Sequence, residues 1–221
     1  MDWFISDLHL NHELVVKTRN FPSMEKMNET LLHMFDVVKK GDNIYLLGDV
    51  AWDADGAKML FDYLIMKKKV GKVVLAEGNH DKNWLGKIDL HPRVEVCQTM
   101  LIKSQHKNGF RSIFISHYPQ MIYDKSHHGA YQLHGHGHMD TTDRPMLDAL
   151  QMGKRINVNC ELHNYKLWSR SEIEEAMKSK PENIDRYLCH GNDRQKKQVM
   201  KMLDKINKIL KGLNKLGDID V

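Results

Sequence analysis

Five short apolar runs in this chain each lead within a few residues into Asp, Asn or His, most of them through a Gly or Ser. Trp3-Phe4-Ile5-Ser6 leads into Asp7-Leu8-His9, and Ile44-Tyr45-Leu46-Leu47 into Gly48-Asp49. Val73-Val74-Leu75-Ala76 leads, across Glu77, into Gly78-Asn79-His80-Asp81. Ile113-Phe114-Ile115-Ser116 leads into His117, and Tyr131-Gln132-Leu133 into His134-Gly135-His136-Gly137-His138. Runs this short and this apolar read as buried strands. In open α/β sheets the loops beyond the strand C-termini are free to carry chemistry. One such junction is a coincidence; five require a sheet whose loops converge. Asp7 and His9, at i and i+2 of an extended segment, point the same way and can chelate together.

The donors are carboxylates, a carboxamide and imidazoles, with no thiolate among them. That set suits hard or borderline divalent ions. Singly, each histidine reads as an ordinary polar or core residue; the case rests on the set. The blocks Asp7-x-His9, Gly48-Asp49, Gly78-Asn79-His80-Asp81, His117 and Gly135-His136-Gly137-His138 resemble, in order, the calcineurin-like metallophosphoesterases. The likeness covers roughly residues 1 to 175. Gly137 is a departure, since the family often carries Thr or a bulkier residue there. His12, Val15, Arg19-Asn20-Phe21 and Met27-Asn28-Glu29 are similar to a bacterial and phage subgroup.

The resemblance implies an α/β fold, a four-layer α/β/β/α sandwich of two mixed β-sheets flanked by helices. It also implies two divalent metal ions, Mn2+ before Fe, Zn2+ or Ni2+. Asp7, His9, Asp49 and His138 would hold one ion; Asp49, Asn79, His117 and His136 the other, with Asp49 as the bridge. Such a pair neutralises an anionic ester and acidifies a shared water. The implied reaction is attack of a metal-bound hydroxide on a phosphodiester. His80 would be general acid to the leaving oxygen and Asp81 would orient its ring. Phosphomonoester hydrolysis at the same site is the alternative; nuclease action and a non-catalytic partner-binding scaffold stand further off. His134 reads as a structural neighbour of the ligands. Arg19 and His12 are candidate substrate contacts, Arg19 because a guanidinium matches two phosphate oxygens. The competing reading of Arg19 is a solvated loop charge.

Composition narrows this further. At 221 residues and a formal charge of +4, the chain has the size of one full domain and only a mild basic excess. A phosphoester substrate, small molecule or nucleotide, fits that charge; nucleic acid has little support from it. Cys97, Cys160 and Cys189 are widely spaced and odd in number, which points to a reducing, cytoplasmic setting. No apolar stretch approaches the ~20 residues of a membrane span. The chain enters a strand at once, leaving no room for a signal peptide.

Elsewhere, Ser23 caps a predicted helix running to Lys39, and Asp53 and Asp55 open another over 56–67. Lys67-Lys68-Lys69 reads as a solvated helix end favoured by the dipole. Val94 to Lys103 and Phe110 to Ser116 read as two strands joined by the turn 105–109, and Arg155 to Asn159 as another. His127-His128 reads as surface. Ser171-Glu172-Ile173-Glu174 is the expected capping box of a short helix. The hydrolase domain is expected over residues 1–180, followed by a tail over 181–221. There Val199, Leu203, Ile206, Leu210 and Leu213 stripe a basic amphipathic C-terminal helix. Packing on the domain is its plain reading; self-association is the sharper one.

Overall fold

The structure is a computed structural model and describes residues 1–103, 111–138 and 153–216. Two mixed sheets face each other. In the first, β1 (Asp2–Ile5), β2 (Asn43–Leu46), β3 (Lys72–Ala76) and β4 (Val94–Cys97) run parallel, and β9 (Trp168–Ser169) pairs antiparallel with β1. In the second, β5 (Thr99–Ile102) lies antiparallel on β6 (Ile113–Ser116), followed in parallel by β7 (Tyr131–His134) and β8 (Arg155–Asn157). A bridge between Ser6 and Asn159 ties the end of β1 to the end of β8.

Alternation along the first-sheet strands builds two cores from one set of residues. Ile5, Ile44, Leu46, Val73 and Leu75 face outward, where α2 (Met24–His33) and α3 (Ala54–Asp62) bury Met27, Leu31, Ala57 and Leu60 against them. Phe4, Tyr45, Val74 and Ala76 face inward, onto Ile113, Ile115, Tyr131 and Leu133 of the second sheet. Both faces are covered, so the strands read as unbroken apolar runs. The short helix α1 (Glu13–Thr18) lies between the first motif loop and α2. On the second sheet's outer side, a 3-10 turn (Ser126–His128) packs against α5 (Ile184–His190), and Asn183 donates to the Ser126 and Ala130 carbonyls.

Four expectations change. Val94 to Lys103 is two strands: the chain breaks at Gln98, leaving the edge of one sheet for the edge of the other. The capping box is Ser169 with Glu172, two residues earlier than expected, and opens α4 (Arg170–Lys178). Both frames fit S-x-x-E; the pairing of Trp168 and Ser169 with β1 selects the earlier one. The helix capped by Ser23 tightens into a 3-10 turn at Met34–Val37 and stops short of Lys39. The helix capped by Asp53 loosens into a π turn at Tyr63–Lys67. The turn at 105–109 lies outside the described residues. The tail is helical, α6 (Asp193–Leu216), with Val199 buried and Leu203 half-buried; the side chains of Ile206, Leu210 and Leu213 lie outside those described.

Candidate metal centre

The motif loops leave their strands and stay zipped together. Asp7 N–H donates to the Gly48 carbonyl (3.0 Å), His9 N–H to that of Asp49 (2.9 Å) and Leu10 N–H to that of Val50 (3.1 Å). Gly135 N–H donates to the His117 carbonyl (2.9 Å), joining the second-sheet loops in the same way. Within this frame Asp7, His9, Asp49 and His136 all take left-handed backbone, with φ of 58°, 54°, 53° and 68°. Each such non-glycine residue costs of order 1–3 kcal/mol and persists where its surroundings over-determine it. The strain bends each loop so that its side chain turns toward the others. Two glycines make the approach possible: a Cβ on Gly48 would collide with the His117 ring, and one on Gly78 with the Asp49 carboxylate.

The result is two adjoining groups of donors. Asp7, His9 and His138 bring one ligand atom each within 4.8 Å of one another, and so do Asp49, His117 and His136. Asp49 stands between: its Oδ2 is 3.8 Å from His9 Nε2 and 3.5 Å from His117 Nε2. Asn79 Oδ1 lies 3.2 Å from His117 Nε2. The structure thus brings together all seven residues expected as ligands. His80 reaches the same cluster by its ring, grouped with His9 and Asp49, while its N–H donates to Asp49 Oδ1 (2.8 Å).

The donor chemistry fits divalent cations. His117 Nδ1 faces the Leu47 carbonyl at 2.8 Å and must donate to it. In the neutral ring its Nε2 is then a lone pair, facing Asp49 Oδ2 and Asn79 Oδ1. Two acceptors oppose a third, an arrangement that a cation between them resolves. Asp7 is fully buried, and burial raises its carboxyl to about 6. Burial, helped by Arg19, lowers His9 to about 2, so its imidazole stays neutral and free to ligate.

Two expected roles are corrected by contacts. Asp81 does not orient the His80 ring. Its buried carboxylate accepts from the N–H groups of Asp49 (2.9 Å), Val50 (3.0 Å) and Gly78 (2.8 Å) and from Trp84 Nε1 (3.2 Å). It welds the second and third motif loops together. Arg19 does not face the site as a phosphate contact, and it is no solvated charge either: its side chain is 3% exposed. Its guanidinium donates to the Asp7 carbonyl (2.7 Å), the Leu8 carbonyl (2.8 Å) and Glu161 Oε1 (2.7 Å). Those carbonyls and that carboxylate consume the fork a phosphate would need.

Glu161 carried no signal in the sequence. Its Oε1 lies 3.1 Å from His138 Nδ1, which turns His138 Nε2 toward Asp7 Oδ1 (3.7 Å) and His9 Nε2 (3.2 Å). Against burial, the His138 hydrogen bond and Arg19 lower the Glu161 carboxyl to about 2. The same hydrogen bond raises His138. Carboxylate-backed imidazoles of this kind fix the tautomer and strengthen the ligand. His134 is a buried neighbour, its Nδ1 3.0 Å from the Gly135 carbonyl. His12 stands at the rim, its ring 5.7 Å from that of His80. The Gly137 carbonyl is pinned by Asn157 Nδ2 (2.8 Å) and Asn159 Nδ2 (3.3 Å), so the loop carrying the departure is held in place.

With this geometry in place, comparison with known proteins is decisive. The family profile of the calcineurin-like phosphoesterases matches residues 3–209. The chain belongs to that family. The match runs into the segment expected as a tail. The calcineurin-like phosphoesterases hydrolyse phosphoesters and use divalent metal ions, and the Asp/His groups above are this member's candidates to hold them. An uncharacterized protein of Methanocaldococcus jannaschii, MJ1445, is 32% identical over 168 residues, covering 74% of this chain and 84% of that protein. The Gene 66 protein of Mycobacterium phage L5 is 32% identical over 81 residues, 36% of this chain and 39% of its own. The fold matches that of the protein AQ665 from Aquifex aeolicus, of unknown function, with a TM-score of 0.60 and 24% identity over 80% of this chain and 98% of that one. Among the described residues no helix is long and apolar enough to cross a membrane.

Proposed function

We propose that this family member is a phosphodiesterase working with two divalent ions, Mn2+ by preference, that share Asp49. The observation that carries the reading is the place of Asp49 Oδ2, within 4 Å of an imidazole nitrogen on either side. Asp7, His9, Asp49 and His138 would hold one ion; Asp49, Asn79, His117 and His136 the other. When bound, such a pair binds the phosphate oxygens, offsets their charge and acidifies a water.

The remaining work falls to the chain. The backbone of the four left-handed residues fixes the donors before substrate arrives, so no reorganisation is needed during reaction. Glu161 and Leu47 fix which nitrogen His138 and His117 present. His80 borders the cluster on the side of His12 and Trp52. There it would protonate or hydrogen-bond the leaving oxygen, a role that matters most for an alkoxide. This favours esters with poor, alkoxide leaving groups over activated esters.

The test is His80→Ala, assayed with Mn2+ on an alkyl phosphodiester and on bis-p-nitrophenyl phosphate. General-acid catalysis is worth about 10²–10⁴-fold. The loss should fall in that range for the alkyl ester and be far smaller for the nitrophenyl ester, with metal content unchanged. Loss of metal from the variant would overturn the role of His80. Absence of Mn2+-dependent hydrolysis in the wild type would overturn the reading as a whole.

A further inference from the structure

The loop after Gly48-Asp49 ends in a residue the hydrolytic reading does not use. Trp52 is 42% exposed. It is held by its backbone, whose N–H donates to the Leu10 carbonyl (2.8 Å), and by Asp53, which caps α3 immediately after it. The indole lies 4.1 Å from the His12 ring and 5.4 Å from that of His80, centroid to centroid. His80 in turn stands 5.2 Å from His9. The His12 ring stands 5.6 Å from that of His9, so both His80 and His12 border that ligand and Trp52 lies outside them, against both rings.

The geometry points to Trp52, supported by His12, as a stacking shelf for an aromatic leaving group, the nucleoside of a nucleotide phosphoester. This rests on the proposed reading of His80 as the group facing the leaving oxygen. If His80 serves that oxygen, whatever the oxygen carries extends past His80 onto the indole. A partly exposed indole at a site's edge discriminates by shape: a planar base can stack on it, whereas glycerol or a simple alkyl group does not. His12 borders the same shelf, so the candidate substrate contact expected from the sequence would act through ring contact rather than through charge. The ligand chemistry is one base joined to one phosphate, which a free nucleotide or the end of a single strand supplies equally.

The test uses the full chain and the variants Trp52→Ala and Trp52→Phe, with thermal unfolding to show that each is folded. Binding of adenosine monophosphate and of glycerol 3-phosphate is followed by Trp fluorescence and by calorimetry. Hydrolysis of a dinucleoside monophosphate and of glycerophosphoglycerol is followed with Mn2+. The expected result is quenching by the nucleotide alone. Trp52→Ala should then lower nucleotide affinity and raise KM for the nucleoside diester about tenfold, from the strength of base–aromatic stacking. The glycerol compounds should change less than twofold, and Trp52→Phe should recover part of the loss. A five-nucleotide strand binding more tightly than the mononucleotide would assign the base to a strand end; equal binding assigns it to free nucleotides. Equal effects on both ligand classes, or none on either, overturn the shelf while leaving hydrolysis intact. Nucleotide binding through Trp52 with no hydrolysis of either diester overturns the enzymatic reading and leaves the shelf standing.

Discussion

The two groups of donors meet at Asp49 but are built differently. Around Asp7, His9 and His138 the support is buried and charged. Arg19 grips the backbone carbonyls of Asp7 and Leu8, and Cys160 Sγ lies 3.3 Å from the Asp7 carbonyl. Glu161 joins Arg19 to His138. Around Asn79, His117 and His136 the support carries no buried charge comparable to Arg19 and Glu161 among the described residues. His136 is exposed, its ring 4.6 Å from that of Tyr118, which is itself 48% exposed. Tyr118 also donates its hydroxyl to Asn79 Oδ1 at 3.3 Å. His117 is anchored on the Leu47 carbonyl, and the His136 backbone N–H donates to the buried Asp7 carboxylate (3.1 Å to Oδ2), although the His136 ring itself is exposed. The group backed by buried charge should bind its ion more tightly; the one whose His136 is exposed should exchange its ion more readily.

Four changes break or sharpen that contrast, taken from the largest effect down. Asp49→Asn removes the one carboxylate facing both groups. Calorimetric titration with Mn2+ should show fewer than two ions, and turnover should fall by about 10²–10³-fold or more. Asp81→Ala strikes the loops beneath rather than the donors. It leaves four buried N–H groups without acceptors, those of Asp49, Val50 and Gly78 and the Trp84 indole, at about 1–3 kcal/mol each. The melting temperature should drop sharply, with Asp81→Asn recovering part because one carbonyl oxygen remains.

Glu161→Gln acts on the buried group alone. The first Mn2+ step should weaken by about 10–100-fold while the second is unchanged. The same variant carries a pH signature in metal-free protein. The Glu161 carboxyl sits at about 2 when folded against 4.5 in the ordinary case. A depressed folded value means that the ionised form stabilises the fold. That contribution is complete above about 4.5 and drains away as pH falls toward 2. Unfolding measured across this window should show a shallower acid limb in Glu161→Gln than in wild type. Tyr118→Phe, last, removes one exposed hydrogen bond worth ~1 kcal/mol. It should weaken only the second Mn2+ step, by less than about tenfold.

What the sequence made legible follows the same divide between local and distant causes. The strand ends and their donors could be read because an apolar run and the residues after it are adjacent in the chain. Asp53 could be read as a cap because its partner, Gly56, is three residues on. Arg19 could not be read, because the acid that claims it lies 142 residues away. Glu161 was silent for the same reason. Asp81 misled because a carboxylate next to a histidine suggests a pair, whereas Asp49, Val50 and Gly78 outbid the ring for its oxygens. The break at Gln98 was invisible because apolar residues continue on both sides of it; only the departure of β4 and β5 to different sheets marks it. The left-handed turns at Asp7, His9, Asp49 and His136 are also beyond sequence reading, since the compact loop imposes them.

The central claim is that Asp49 is shared by two cations. Anomalous diffraction at the manganese edge from a crystal soaked in Mn2+ tests it directly. Two peaks about 3.5–4 Å apart, with the Asp49 carboxylate between them, are the predicted result. One peak, or two with Asp49 bound to neither or to one alone, would contradict it.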